Sequence, residues 1–113
     1  MELVERQIRK LQLENGEIPF DTWFLTLDKT MQMAIDGRLA RVRAGNFGDH
    51  KNVGAGVWEL RIDKGPGLRV YFGQRGKQLV ILVGGGDKST QKRDIRRAQQ
   101  LWQQFEQHAP KKL

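Results

Sequence analysis

The chain has 113 residues, with 20 Lys or Arg against 13 Asp or Glu and therefore a formal charge of +7. This length has room for one domain spanning residues 1–113, and 38% hydrophobic residues plus 13 glycines are typical of a folded chain rather than a disordered tail. The lack of cysteine excludes disulfides, thiolate metal sites and a cysteine nucleophile, and two histidines are too few for a histidine-based metal site.

The longest apolar run, Leu79 to Val83, has five residues, whereas a membrane-spanning helix needs about 20. The segment that starts at Met1 has no apolar core of a signal peptide. We therefore expect a cytoplasmic protein. A small basic domain usually binds nucleic acid, an anionic membrane surface or an acidic protein, and composition alone does not choose among the three.

The N-terminal half predicts one strand and two helices. Residues 3–13 fit a strand or a helix, and we favour the strand. A turn signal at 14–17 follows, and Pro19 suits the first turn of a helix. Apolar residues then recur at helical spacing, which predicts a helical hairpin over residues 20–44. These apolar residues are Phe20, Trp23, Phe24, Leu27, Met31, Ala34, Ile35 and Leu39.

The C-terminal half predicts a sheet and a last helix. Residues 46–56 are glycine-rich and polar and are expected to form a loop, after which residues 57–62, 68–73 and 79–83 form an antiparallel meander. The third strand is apolar throughout and should be covered on both faces. Gly84 to Gly86 should leave the sheet as a turn, Ser89 or Thr90 should cap the helix, and Ala109–Pro110 should end it.

The predicted order is β-α-α-β-β-β-α. It corresponds to an α+β fold, an antiparallel meander plus an N-terminal strand packed against helices. The apolar stripe of the last helix, which should pack on the sheet, consists of Ile95, Ala98, Trp102 and Phe105.

An arginine pair is the main candidate for a site. If Ile62 faces Leu68 in the first hairpin, Arg61 lies directly opposite Arg69 and Glu59 lies opposite Tyr71. Like charges directly opposite each other destabilise a sheet, and two adjacent guanidinium groups suit a phosphate. The alternative is a solvated face on which Glu59 screens both arginines.

Further cations are expected to join the arginine face. His50 and Lys51 precede the first hairpin strand, and Lys88 follows the last strand. Lys92 and Arg96 continue from Lys88 at helical spacing, although such a stripe is also typical of a solvated helix face. Crowding by arginines disfavours a protonated lysine, so Lys51 or Lys88 is a candidate general base for phosphoryl transfer without a metal.

An aromatic residue also belongs to this arrangement. Tyr71 falls on the arginine face by strand parity and is the candidate for stacking on a base. Trp58 and Phe72 fall on the core face, which makes them unsuitable for that role.

Three blocks of the sequence resemble a known superfamily. Residues 57–72 are similar to the segment G-x-x-E-L-R-…-G-P-G-x-R-V-Y-Y of the RelE/ParE toxins, in the HigB-like branch of phage-derived addiction module killer proteins. Residues 45–51 are similar to that branch's G-N-x-G-D-x-K, and residues 82–95 to its L-x-G-G-D-K-x-T-Q-x-x-D-I. The resemblance runs from about Pro19 to Phe105, and the first 18 residues depart from it.

The resemblance implies a RelE-like sheet with helices on one side and a ribosome-dependent endoribonuclease. The 2′-hydroxyl of messenger RNA would attack the phosphate without metal or cofactor. The implied catalytic residues are Arg61, Arg69, Lys88, Lys51 and Tyr71, and the cations His50, Lys92 and Arg96 are expected to contact RNA or the ribosome.

The resemblance also implies partners. The chain would bind a cognate antitoxin, commonly of helix-turn-helix type, the ribosome and messenger RNA; it would reach operator DNA only through the antitoxin and would not bind membranes. Two alternatives stay open, namely a ParE-like toxin that inhibits DNA gyrase without catalysis and an inactive member that acts only in the antitoxin complex. The gyrase-inhibiting branch usually lacks a full cation set on its sheet.

Overall fold

A computed structural model describes residues 4–108 and confirms the predicted α+β class. A 3-10 turn, Lys88–Thr90, joins the last strand to the last helix, and the predicted stop at Ala109–Pro110 lies outside the described residues. No helix within the described range is long and apolar enough to cross a bilayer. The elements are β1 (Gln7–Lys10), α1 (Pro19–Phe24), α2 (Lys29–Arg43), β2 (His50–Gly54), β3 (Val57–Ile62), β4 (Leu68–Arg75), β5 (Leu79–Asp87) and α3 (Gln91–His108).

The strands form one mixed sheet in the order β1-β5-β4-β3-β2. β2 to β5 pair antiparallel with their neighbours, whereas β1 runs parallel to β5. The parallel pairing is possible because the long connection through α1 and α2 provides the required crossover. The preference for a strand in the first segment is confirmed for Gln7–Lys10.

The expected loop at 46–56 is wrong for His50–Gly54, which form the edge strand β2. Most of the side chains of β2 are exposed, and backbone hydrogen bonds to β3 hold the strand in place. An edge strand held in this way needs no alternating apolar pattern, so the sequence carried no signal for it. The error matters for function because β2 positions His50 and Lys51.

Helices cover both faces of the sheet, so the expectation of helices on one side is wrong. On one face α1 and α2 bury a cluster that includes Phe20, Ile35, Leu60, Val70 and Phe72. On the other face α3 buries a cluster that includes Val57, Tyr71, Ile81, Ala98 and Trp102. The apolar run of β5 has side chains in both clusters, which confirms that it is covered on both sides.

The three glycines at 84–86 lie within β5 rather than in an exit turn. A Cβ atom on Gly85 would collide with the Trp23 ring, and one on Gly86 would collide with Asp94. These glycines therefore allow α1 and α3 to approach the strand closely. The chain leaves the sheet two residues later, where the Asp87 carboxylate, rather than Ser89, caps the 3-10 turn.

Candidate functional site

The predicted register of the β3–β4 hairpin is confirmed. Arg61 pairs with Arg69, and Glu59 pairs with Tyr71. Residues directly opposite each other share a face of the sheet, so both guanidinium groups project from the α3 side. Arg61 Nε lies 3.1 Å and Arg69 Nε lies 3.8 Å from the same Glu59 oxygen, Oε1. The two arginines therefore converge on one carboxylate.

Glu59 is the buried centre of this arrangement. Its side chain is fully buried, and its second oxygen, Oε2, accepts a hydrogen bond of 2.9 Å from Gln91 Nε2 at the start of α3. A charged acceptor strengthens such hydrogen bonds. The carboxylate offsets the repulsion between the two guanidinium groups. It accepts a hydrogen bond from Arg61 Nε, whereas Arg69 makes only the longer ion-pair contact with it and donates from Nη1 to the Leu68 carbonyl oxygen at 3.1 Å.

Solvent reaches the two arginines unequally. The side chain of Arg61 is 35% exposed and that of Arg69 is 12% exposed. The alternative of a solvated face is therefore wrong for Arg69 and fits Arg61 in part, and its premise that Glu59 screens both arginines is confirmed. Arg61 is the more accessible guanidinium, while Arg69 lies deeper between the strands and the beginning of α3.

Arg38 on α2 supports the site from the other face of the sheet. Its Nη1 donates to the Arg61 carbonyl oxygen at 2.6 Å, and its Nη2 donates to the carbonyl oxygens of Phe47 at 2.8 Å and Asp49 at 2.5 Å. Desolvation lowers the pKa of Arg38 from its usual value. Sequence reasoning missed this residue because an arginine on an amphipathic helix looks like any surface cation.

The two candidate lysines flank the arginine pair. Lys51 lies directly opposite Glu59 on the β2 side, and residues opposite each other share a face. Lys88 lies on the β5 side, where its N–H donates to the Gly67 carbonyl oxygen at 3.0 Å. A Cβ atom on Gly67 would lie 3.4 Å from Lys88 Cβ and 3.6 Å from Arg69 Nη1. Both lysine residues are exposed.

His50 does not join the arginine face, contrary to expectation. It pairs with Leu60, so it lies on the α1–α2 side of the sheet. Its ring lies against Phe47 and Trp58, with centroid distances of 5.3 and 5.5 Å, and its Nδ1 lies 2.8 Å from the Gly48 carbonyl oxygen. The prediction failed because treating 46–56 as a loop gave His50 no strand parity.

Tyr71 lies on the arginine face as predicted, but α3 buries it. The residue is 1% exposed, so the expected stacking of its ring on a base is wrong. Burial, together with the nearby negative charge of Glu59, raises the pKa of the Tyr71 hydroxyl well above its usual value. That hydroxyl makes no hydrogen bond with residues 4–108 and stays protonated at neutral pH.

Residues 22–103 match the family model described as "Phage derived protein Gp49-like". The chain belongs to this Gp49-like family. The family is associated with toxin–antitoxin systems. The chain is also 48% identical over 89 residues to a Haemophilus influenzae Rd protein named "Uncharacterized protein", covering 78% of this chain and 90% of that protein. The whole arginine site lies inside the family match.

The Gp49-like chain carries a second group of cations on α3. Lys92 and Arg96 are exposed and lie one and five residues after Gln91, the residue that contacts Glu59. They do not continue a helical stripe from Lys88, because Lys88 belongs to the 3-10 turn and α3 begins at Gln91. Within residues 4–108, no three His, Asp or Glu side chains cluster in a way that could hold a metal ion.

Proposed function

We propose that this Gp49-like protein is a RelE-like toxin of a toxin–antitoxin pair and cleaves messenger RNA on the ribosome. The observation that carries the proposal is the convergence of Arg61 and Arg69 on one buried carboxylate, with the exposed residues Lys51 and Lys88 on either side. Two arginines on one carboxylate, with two further lysines on the flanking strands, leave net positive charge where a phosphate diester would bind. The family's association with toxin–antitoxin systems supports the same class.

The proposed reaction is a transesterification within RNA. The 2′-oxygen forms a bond to phosphorus as its proton passes to a base, and the bond from phosphorus to the 5′-oxygen breaks as that oxygen gains a proton. The products are a 2′,3′-cyclic phosphate and a 5′-hydroxyl. Arg61 and Arg69 bind the non-bridging oxygens and stabilise the charge that develops in the transition state; Glu59 holds both guanidinium groups in place.

The two lysines take the proton-transfer roles in this scheme. In-line displacement places the attacking and leaving oxygens on opposite sides of phosphorus, and Lys51 and Lys88 lie on opposite sides of the arginine pair. One lysine serves as the base for the 2′-hydroxyl and the other as the acid for the 5′-oxygen. Lys92 and Arg96 contact phosphates farther along the strand, and such contacts weaken as salt is added.

The first experiment expresses the chain with a translated message and maps new 5′ ends. Codon-phased cuts are expected in messages that ribosomes are translating. Arg61→Ala and Arg69→Ala should each lower the cleavage rate by about 100- to 1,000-fold. Arg43→Ala is the matched control, because Arg43 is exposed at the end of α2, the helix that covers the opposite face. Undiminished cleavage by the double arginine variant contradicts the proposed site.

The second experiment separates the lysine roles. It uses an RNA whose scissile 5′-oxygen is replaced by sulfur, a leaving group that departs without an acid. Cleavage of this RNA should recover in the lysine→Ala variant that lost the acid and stay low in the variant that lost the base. Equal behaviour of Lys51→Ala and Lys88→Ala on both substrates contradicts the division of roles.

The same expression experiment distinguishes the alternatives. Gyrase-linked DNA breaks with intact message would identify a ParE-like toxin, and toxicity without either effect would exclude both. The proposed partner is a cognate helix-turn-helix antitoxin, through which the toxin would reach operator DNA. Co-expression of the protein encoded beside the toxin should abolish cleavage, and purification should recover the two chains together.

A further inference from the structure

Within residues 4–108, half of strand β5 has a neighbouring strand on only one side. β1 pairs with Leu79–Leu82 of β5. Just beyond the end of β1, the Leu11 N–H donates to the Leu82 carbonyl oxygen. β4 continues to pair with β5 through Gly84–Asp87. A strand edge without a neighbour presents N–H and C=O groups that another chain can pair with.

The register indicates which groups face the open side. Lys88 N–H donates to Gly67 on the β4 side, and the direction of backbone groups alternates along a strand. Gly84 and Gly86 therefore direct their backbone groups toward β4. The N–H and C=O of Gly85, between them, face away from β4 into the open side.

A cavity of about 480 Å³ lies along this edge, between α1 and α3. Among residues 4–108, a Cβ atom on the half-buried Gly84 would meet nothing within 4 Å, so there is room above this position for a side chain of a bound segment. The Tyr71 hydroxyl, buried and without a partner among residues 4–108, belongs to the same lining. The lining combines apolar side chains, such as Trp23, Val83 and Leu101, with polar and charged ones, which include the carboxylates of Glu17 and Asp94.

Two arginines of α3 stand beside the cavity. Arg93 and Arg97 are exposed and belong to its lining. Arg93 is partly engaged, since its Nε lies 3.5 Å from the Asp94 carboxylate, whereas Arg97 makes no ion pair or hydrogen bond with residues 4–108. The two carboxylates of the lining are already engaged, since Glu17 accepts a hydrogen bond from the Thr22 hydroxyl and Asp94 accepts one from the Thr90 hydroxyl. Together with the net charge of +7, the two arginines therefore favour an acidic ligand.

We infer that this edge binds an extended, acidic segment of a partner protein. The segment pairs its main chain with Gly85, places an apolar side chain in the space above Gly84, and directs carboxylates to Arg93 and Arg97. Pairing at a free sheet edge with pockets for alternate side chains is an established mode of peptide recognition. The inference does not depend on the proposed RNA cleavage, whose arginines and candidate acid and base lie on β2, β3, β4 and the 3-10 turn.

The experiment titrates the ¹⁵N-labelled chain with a ten-residue peptide of alternating Glu and Val, at low salt. The peptide should shift the NMR signal of the Gly85 amide and slow its hydrogen exchange by about tenfold or more. A peptide of alternating Lys and Val should do neither. Gly84→Val should fill the cavity without a steric conflict and weaken binding by about tenfold.

Gly37→Val is the matched control for the cavity variant. A Cβ atom on Gly37 also meets nothing within 4 Å, but Gly37 lies in α2, away from the cavity, so peptide affinity should not change. A silent Gly85 amide, or equal affinities for the two peptides, would overturn the inference. So would preferential protection of Gly85 by a single-stranded RNA or by self-association of the chain, which would assign the edge to nucleic acid or to a second copy.

Discussion

Replacing Glu59 by glutamine tests the arginine site directly. The substitution keeps the volume of a fully buried side chain and removes the negative charge on which Arg61 and Arg69 converge. Glutamine has one acceptor oxygen, whereas the carboxylate has two, which accept hydrogen bonds from Arg61 Nε and Gln91 Nε2. Two adjacent guanidinium groups are then left without their counter-ion.

The expected loss in the free energy of unfolding follows from how deeply Arg61 and Arg69 are buried. Removing one partner of a buried ion pair typically costs about 3–5 kcal/mol. Arg61 is 35% exposed, so water offsets part of its loss, while Arg69, at 12%, has little access to water. We therefore expect Glu59→Gln to lower the free energy of unfolding by about 2 kcal/mol, which corresponds to a fall in Tm of roughly 10 °C for a domain of this size.

The assay is thermal and urea unfolding of wild type, Glu59→Gln, Arg69→Met and the double variant. Removing Arg69 together with the carboxylate removes the unpaired charge, so the double variant should lose about 1 kcal/mol less than the sum of the two single losses. Glu106→Gln is the control, because Glu106 is an exposed carboxylate on α3 and should change stability by less than about 0.5 kcal/mol.

RNA measurements complete the test. With the carboxylate gone, Glu59→Gln should bind single-stranded RNA more tightly at low salt but cleave it more slowly, because the arginines gain net charge and lose their fixed position. Stability equal to that of Glu106→Gln, or strict additivity in the double variant, would refute the view that Glu59 holds the arginines together. Unchanged cleavage in a folded Glu59→Gln protein would refute its positioning role.

Three further predictions concern the surroundings of the site. Arg38→Lys loses the planar guanidinium that joins three carbonyl oxygens, and it should lower the free energy of unfolding in urea by about 2 kcal/mol. A loss below about 0.5 kcal/mol would contradict the view that Arg38 supports the site. Tyr71→Phe removes a buried hydroxyl that has no hydrogen-bond partner among residues 4–108, so stability should stay within about 1 kcal/mol of wild type and cleavage should persist. Loss of cleavage in a folded variant would restore a catalytic role for the hydroxyl. The hydrogen bond from the Ser89 hydroxyl lowers the pKa of Asp87. The ionised carboxylate therefore stabilises the fold above the unfolded-state pKa of about 3.9, and this stabilisation is lost as the pH falls through the lower folded-state pKa. The difference in stability between wild type and Asp87→Asn should shrink below about pH 4, and a difference that grows with acid would contradict the assignment.

The hairpin that carries the arginines was predictable because its information is local. Alternation of apolar and polar residues over 57–62 and 68–73, joined by a glycine- and proline-containing turn, sets the register. That register alone places Arg61 opposite Arg69 and Glu59 opposite Tyr71. The helical spacing over 20–44 and in the last helix was similarly informative, since an apolar stripe must face the sheet.

Other features of the site depend on which surfaces meet. The sequence did not reveal that β2 pairs at the sheet edge, which moves His50 to one face and Lys51 to the other. It also did not show that α3 covers Tyr71 and Glu59, because a stripe of apolar residues indicates a buried face but not the surface against which it packs. Arg38 was hidden for the same reason, since its acceptors are carbonyl groups distant in sequence.

The sequence by itself therefore determined the α+β class, the hairpin register and the adjacency of two arginines, because period and parity act between near neighbours in the chain. Only the tertiary structure decided that a buried carboxylate joins those arginines, that Tyr71 is inaccessible and that half of β5 has no second neighbouring strand in the part of the chain that the structure describes. These properties arise from contacts between segments that are distant in the chain. Burial there sets the strength of each electrostatic interaction, and the point at which one strand ends determines how much of its neighbour's edge stays unpaired.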